Sequence, residues 1–147
     1  IPIATGERLH TLEEFGMLLA RNACQYIRPD VCLCGGITQA KKIAAAAEAR
    51  GVLVVPHNPL SPVSTAACIQ LAASIPNFAI QEYPLGEDCA PKNEIVKSTL
   101  TLDNGYLTVP DSPGIGIELN EQAMHQYPYK PRLYVTKLRE DGSVVDQ

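Results

Sequence analysis

The sequence predicts an α/β fold with parallel strands, and two patterns support this prediction. Over the first 90 residues, short apolar runs alternate with amphipathic segments of helical period. Each apolar run is separated from the next by a helical segment, so the connections are crossovers and the strands are parallel. This alternation stops after Pro84. We therefore divide the chain into a βα region, residues 1–88, and an extension, residues 89–147.

The first two βα units begin at the strand end in residues 1–4 and at the strand in residues 26–31. Thr11 and Glu14 have the spacing of a capping box, which predicts the start of a helix that continues to about residue 22. In the second unit Thr38 is the expected N-cap. The alanine-rich segment that follows predicts a helix ending before Gly51.

The third unit opens with an almost continuously apolar run, residues 52–55, which predicts a strand covered on both faces. Ser61 followed by Pro62 predicts a helix N-terminus, and the helix continues to Ser74. Residues 78–82 form the predicted fourth strand. In the extension, the run Asp103-Asn104-Gly105-Tyr106 between two apolar stretches predicts a hairpin, whereas residues 127–134 show no periodicity.

Composition excludes several classes of function. The 147 residues carry a formal net charge of -4, with 46% hydrophobic and 19% charged residues, so neither nucleic acid nor an anionic membrane surface is an expected partner. No apolar stretch approaches the ~20 residues of a spanning helix. Five cysteines are an odd number, which favours a reducing compartment, and we predict a cytoplasmic protein.

Two short motifs predict no bound group. Cys32 and Cys34 form a C-x-C without a second pair at metal-ligand spacing, so packing is the preferred interpretation. Gly114-Ile115-Gly116 lacks the strand before it and the helix after it that a dinucleotide site needs. We therefore predict no cofactor-binding residues there.

Four ionisable residues lie at or just beyond the ends of the four predicted strands. They are Glu7, Asp30, His57 and Glu82, at intervals of about 25 residues, which is about one βα unit. Since the carboxyl ends of parallel strands face the same rim of a sheet or barrel, we expect these side chains to converge.

His57 and Asp30 form the most informative pair. Asp30 can accept a hydrogen bond from the imidazole Nδ1 and leave Nε2 free to take a proton. A histidine at one strand end is by itself weak evidence, since it can equally be a capped loop residue. Asp30 on the neighbouring strand favours the catalytic interpretation.

The other two acids have alternative roles. Glu7 follows Gly6, which allows the tight turn that would point the carboxylate over the rim as a ligand for a hard cation. It could instead form a salt bridge with Arg8 or Arg28. Glu82 could hydrogen-bond a substrate carboxylate only if protonated, or a hydroxyl if ionised, or serve as a buried capping acid.

The motifs at these positions, taken together, resemble the mandelate racemase subgroup of the enolase superfamily, and most closely its D-galactonate dehydratases. The motifs keep family order and spacing over essentially the whole chain: Thr5-Gly6-Glu7-Arg8, Arg28-Pro29-Asp30-Val31, Cys34-Gly35-Gly36-Ile37, Pro56-His57-Asn58-Pro59, Gln81-Glu82 and Pro113-Gly114-Ile115-Gly116.

The resemblance implies the C-terminal half of a modified TIM barrel of the (β/α)7β type, with an extension that packs on a capping domain. It implies that Glu7 is a Mg²⁺ ligand, that His57 is the general base held by Asp30, and that Glu82 hydrogen-bonds the substrate's carboxylate or enediolate. The implied reaction removes the proton α to a carboxylate and eliminates the 3-hydroxyl, which yields a 2-keto-3-deoxy sugar acid.

The same resemblance places the other two metal-binding carboxylates and the general acid on strands that precede Ile1. Magnesium needs near-octahedral oxygen coordination, so we expect the isolated 147 residues to be inactive and to need the N-terminal half of the same protein as a partner. Open sheet edges invite pairing, and we expect a homo-oligomer. A racemase or cycloisomerase of the same subgroup and a non-catalytic assembly module remain alternatives.

Overall fold

A computed structural model describes residues 1–131 and 137–145. In that part of the chain the helices and strands are β1 (Ala4–Thr5), α1 (Leu12–Ala20), β2 (Tyr26–Ile27), α2 (Gly36–Glu48), β3 (Leu53–Val54), α3 (Pro62–Ala73), a 3-10 helix (Lys92–Ile95), β4 (Leu102–Asp103), β5 (Tyr106–Leu107) and α4 (Ala123–Gln126).

The first three strands form a parallel sheet in the order β1-β2-β3. In the register, Thr5 lies beside Ile27, and Ile27 beside Val54. Phe78 adds a fourth position to the sheet through a parallel bridge to Val54. The predicted α/β fold with parallel strands and crossover helices is therefore confirmed.

The strands are shorter than the sequence predicts. Pro29 has no N–H to donate, so β2 ends at Ile27 and pairing resumes only at the isolated bridge between Asp30 and His57. The predicted strand 78–82 is reduced to Phe78, because its hydrogen bonding to β3 ends with the Ala79 N–H.

The helix starts follow local capping chemistry. Thr11 caps α1 with the predicted capping box: the Glu14 N–H donates to the Thr11 hydroxyl at 3.2 Å, and the Thr11 N–H donates to the Glu14 carboxylate at 2.9 Å. Ser61 caps α3 with Pro62 as its first residue, as predicted. The prediction of Thr38 as N-cap is wrong. Gly35, whose φ is +100°, precedes α2 directly, and the left-handed backbone that glycine permits starts the helix earlier.

The core lies between one face of the sheet and the three helices. Its largest fully buried apolar side chains come one each from α1, β2, α2, β3 and α3: Phe15, Ile27, Ile43, Val54 and Leu71. Apolar burial of this kind is the main source of folding free energy.

The opposite face of the sheet is open. Ala4, Tyr26 and Leu53 share a register row on that face, and Leu53 is 38% exposed. The expectation that the third strand is covered on both faces is therefore wrong for the described residues, because its helices lie on one side only.

In the extension, β4 and β5 form the predicted antiparallel hairpin. A bridge between Val96 and Leu119 joins two further segments. Of the aperiodic stretch 127–134, residues 132–134 lie outside the described residues. None of the helices described is long and apolar enough to cross a membrane. Packing of the extension on a capping domain stays a prediction.

Candidate active site

The side chains of His57 and Asp30 are hydrogen-bonded, with 3.0 Å between the imidazole Nδ1 and the carboxylate Oδ2. Their backbones form a parallel bridge, and the His57 N–H donates to the Pro29 carbonyl at 3.1 Å. The sheet register therefore brings these two residues together, as their spacing in the sequence predicts.

Asp30 is held in a fixed orientation. Its side chain is 1% exposed, and its second oxygen, Oδ1, accepts from the backbone N–H groups of Cys32 at 2.8 Å and Leu33 at 3.2 Å. These bonds form because the chain turns directly after Asp30 toward α2. A carboxylate that is buried and satisfied in this way offers Oδ2 to the imidazole in one geometry.

This arrangement determines the tautomer of neutral His57. An ionised Asp30 can only accept, so Nδ1 must carry the proton that it donates. Nε2 then has a free lone pair. The His57 side chain is 20% exposed, so the ring lies at the rim rather than in the core. His57 has the geometry of a general base oriented by a carboxylate.

Glu82 lies beside this pair and has two donors on one oxygen. Its Oε2 accepts from the Arg28 Nη2 at 2.7 Å and from the Asn58 N–H at 2.8 Å. Burial by itself would raise the pKa of Glu82, but the hydrogen bond from Asn58 and the neighbouring Arg28 guanidinium outweigh it and hold that pKa below its ordinary value. Glu82 is therefore ionised at neutral pH. In that state it accepts hydrogen bonds, which favours a hydroxyl as its partner over a carboxylate.

Sequence reasoning missed the roles of Arg28 and Asn58. The sequence suggests Arg28 only as a partner of Glu7, whereas the structure pairs it with Glu82. Asn58 is fully buried, directly follows His57 in the chain and contacts Glu82. The available signal was their position: each is within two residues of a dyad member.

Glu7 follows the end of β1 at the same rim. Gly6 before it has a φ of +118°, which confirms the tight turn inferred from this glycine. The Arg28 N–H donates to the Thr5 carbonyl at 2.9 Å and so joins this turn to β2. Glu7 is half-buried, and the hydrogen bonds that hold the other three predicted site residues do not include it.

The described residues do not by themselves make a magnesium site. Among residues 1–131 and 137–145, no group of three or more His, Cys, Asp or Glu side chains is placed to hold a metal ion. Glu7 is one carboxylate, and Mg²⁺ needs near-octahedral oxygen coordination.

The cysteines divide between the core and the surface. Burial raises the pKa of Cys34 to about 11 and that of Cys68 to about 12, so both are thiols that pack. Cys32 is exposed, and packing therefore explains only one member of the C-x-C motif. His10 and His125 are exposed.

Comparison with known proteins identifies the family to which the chain is similar. Residues 1–123 match the family described as Enolase C-terminal domain-like. A D-galactonate dehydratase family member of Streptomyces bingchenggensis is 35% identical over 148 residues, which cover 99% of this chain and 36% of that protein. The D-galactonate dehydratase of Verminephrobacter eiseniae is 36% identical over 82% of this chain and 33% of its own length.

Solved structures agree with this assignment. The crystal structure of an enolase from Agrobacterium radiobacter, bound to sodium and L-malate, matches 97% of this chain and 40% of its own at 36% identity, with a TM-score of 0.86. A mandelate racemase/muconate lactonizing enzyme from Jannaschia matches 90% of this chain and 33% of its own at 35% identity, with a TM-score of 0.81. The chain spans about a third of the length of the curated relatives it matches. It belongs to the Enolase C-terminal domain-like family of the enolase superfamily.

Proposed function

We propose that the protein is a sugar-acid dehydratase, with an aldonate such as D-galactonate as its substrate. The observation that carries this proposal is the hydrogen bond between Asp30 and His57, at a rim that also holds Glu82. The similarity to proteins named D-galactonate dehydratase supports the substrate class.

In the proposed reaction the Nε2 lone pair of His57 takes the proton α to the substrate's carboxylate. Asp30 orients the ring through Nδ1 and stabilises the imidazolium that forms. The electron pair from the broken C–H bond then forms a carbon–carbon double bond as the 3-hydroxyl leaves. With a proton from an acid outside these 147 residues, the hydroxyl leaves as water, and the enol rearranges to the 2-keto-3-deoxy acid.

Glu82 would accept a hydrogen bond from a substrate hydroxyl. Its carboxylate is anionic at neutral pH, because Asn58 and Arg28 stabilise the charged form. A substrate acid that carries hydroxyl groups can therefore be held by Glu82 next to His57, whereas an acid without hydroxyl groups has no donor for Glu82.

The function needs residues outside this chain. The sheet has one open face, on which Leu53 is exposed, and the described residues lack a metal-binding group. We infer that the remainder of the protein, corresponding to the unmatched two thirds of the relatives, covers this face and completes the site. Assembly into a homo-oligomer stays a prediction.

The direct test is an assay of the whole protein, the natural polypeptide that carries these residues, after its denatured intact mass has been measured. Aldonates of different stereochemistry are incubated in D₂O with Mg²⁺, and both solvent deuterium at the α-carbon and 2-keto-3-deoxy product are measured. Product from D-galactonate supports the proposal. Exchange without elimination would indicate a racemase or cycloisomerase, and absence of both from every aldonate would contradict a sugar-acid dehydratase.

We further propose that Glu7 is one ligand of the Mg²⁺ that this superfamily resemblance implies. Glu7→Gln is expected to weaken Mg²⁺ binding by the whole protein, because a neutral amide replaces an anionic oxygen donor. Isothermal titration with MgCl₂ measures the affinity directly, without substrate. Glu13→Gln is the matched control, since Glu13 is exposed on α1. Equal Mg²⁺ affinity in Glu7→Gln and the wild type would remove Glu7 from the ligand set.

A further inference from the structure

Glu87 has a buried carboxylate although the loop that carries it lies at the surface. Its neighbours Gly86 and Asp88 are exposed, whereas Glu87 is 0% exposed. Burial raises the pKa of Glu87, opposed by a hydrogen bond from Thr65 and the charge of Lys92. Burying an acid costs folding free energy.

The hydrogen bonds of the Asn58 side chain determine which groups donate and which accept between Glu82, Thr65 and Glu87. The Asn58 Nδ2 donates to the Glu82 carbonyl at 3.0 Å and to the Thr65 Oγ1 at 2.7 Å. A carbonyl only accepts, so the amide nitrogen must face Glu82, and Thr65 must accept the second N–H. The Thr65 Oγ1 lies 2.7 Å from the Glu87 Oε2 and 3.3 Å from the Ser61 carbonyl oxygen, and we assign its single hydroxyl hydrogen to Glu87, the nearer acceptor.

The same asparagine joins this network to the active site. The backbone N–H of Asn58 donates to the Glu82 Oε2 at 2.8 Å, and Asn58 directly follows His57. Asn58 therefore holds both the main chain and the carboxylate of Glu82. The four hydrogen bonds that connect Glu87 with Glu82 all involve Asn58 or Thr65, which are fully buried.

We propose that Glu87 is a positioning residue of the active site, which acts through Thr65 and Asn58 to hold Glu82 against His57. This inference rests on the proposed function, because a positioning role for Glu87 matters only if Glu82 and His57 act together on a substrate. Glu87 itself does not contact the rim. Its carboxylate fixes the Thr65 hydroxyl, the hydroxyl fixes the Asn58 amide, and the amide fixes Glu82.

The charge state of Glu82 reports on this positioning. The groups that face Glu82 are the Arg28 guanidinium from the end of β2 and, after β3, the Asn58 N–H and the His57 ring. If Asn58 loosens, Glu82 loses one hydrogen bond to its charged form while Arg28 and His57 remain. The pKa of Glu82 should then rise.

The experiment uses three variants of the whole protein on one helix turn. Thr65→Val removes the hydroxyl at nearly constant shape, and Thr65→Ser keeps it. Ser64→Ala removes a neighbouring buried hydroxyl that takes no part in the hydrogen bonds between Glu87, Thr65 and Asn58. The pKa of Glu82 is measured by ¹³C NMR of labelled glutamate carboxyls, assigned by loss of the signal in Glu82→Gln. The pH profiles of kcat and KM are measured in parallel.

We expect Thr65→Val to raise the pKa of Glu82 and to lower kcat roughly two- to tenfold, with a smaller change in KM. Thr65→Ser and Ser64→Ala should match the wild type in both measurements. An unchanged Glu82 pKa in folded Thr65→Val would overturn the proposal. The NMR titration does not depend on turnover, so an inactive wild type would contradict the proposed function while the positioning role is still decided.

If Thr65→Val does not fold, a second pair of variants tests whether Glu87 positions Glu82. Glu87→Gln keeps a carbonyl oxygen that can accept from Thr65, and Glu87→Met removes both oxygen acceptors and leaves only a weakly accepting thioether. The proposal requires Glu87→Met to raise the pKa of Glu82 and Glu87→Gln to leave it nearly unchanged. Identical pKa values in these two variants would overturn it.

Discussion

His57→Asn is expected to reduce exchange of the substrate's α-proton with solvent by roughly 10²- to 10⁴-fold, the usual contribution of a positioned general base. Asparagine has about the size of the imidazole's inner half but no basic nitrogen at the Nε2 position. The Asp30 carboxylate can still be hydrogen-bonded by the new amide, so the rim should keep its structure. Exchange is followed by ¹H NMR of the aldonate in D₂O with the whole protein.

His125→Asn is the matched control for this substitution. His125 is exposed on α4, outside the predicted site, so its replacement should leave exchange at the wild-type rate. Mg²⁺ binding of His57→Asn should also stay near the wild-type value, because the imidazole is not a proposed ligand. Wild-type exchange by His57→Asn would rule out His57 as the base.

Gly6→Ala is expected to lower the free energy of unfolding of the whole protein by about 2–4 kcal/mol. Gly6 has a φ of +118°, a conformation that alanine adopts only with strain. A Cβ at this position would lie 2.7 Å from Cε1 of Phe15, a fully buried core side chain, and 3.4 Å from the backbone nitrogen of Arg28. Urea denaturation measures the change.

Gly16→Ala provides the matched comparison. Gly16 lies within α1 and is exposed, and a methyl group at this position would meet no neighbouring atom within 4 Å. Alanine there should stabilise the protein by about 0.5–1 kcal/mol, because glycine is unfavourable inside a helix. Equal unfolding free energies for Gly6→Ala and the wild type would show that the turn before Glu7 tolerates a side chain.

The dyad could be predicted from the sequence because a βα unit has a nearly constant length. Asp30 and His57 are one such unit apart, and adjacent parallel strands then place them side by side. The capping box at Thr11 and the cap at Ser61 were predictable for a related reason. Each depends on residues within one helix turn, so no distant part of the chain can change it.

The pairing of Arg28 with Glu82 could not be predicted in this way. These residues are 54 positions apart, and which acid Arg28 contacts depends on how the chain leaves the sheet after Phe78. The start of α2 was misplaced because the left-handed conformation of Gly35 leaves no trace in periodicity. Glu87 carries no sequence signal either, since its burial depends on Thr65, which belongs to another element.

The exposure of Leu53 shows what an apolar strand sequence leaves undetermined. An apolar strand predicts burial on both faces, but the sequence does not say which molecule or segment supplies the second cover. The open face is the side of the sheet that the three helices leave bare.

That open face has a kinetic consequence if the site is divided as proposed. The proposed base, His57, and Asp30 belong to these 147 residues, and the proposal puts the residues that complete the site in the remainder of the protein. If the two portions were separate polypeptides, turnover at low concentration would depend on the product of their concentrations. Dilution would then lower the turnover rate more steeply than it lowers the protein concentration. Within one polypeptide the same encounter is intramolecular, and the rate per molecule becomes independent of dilution.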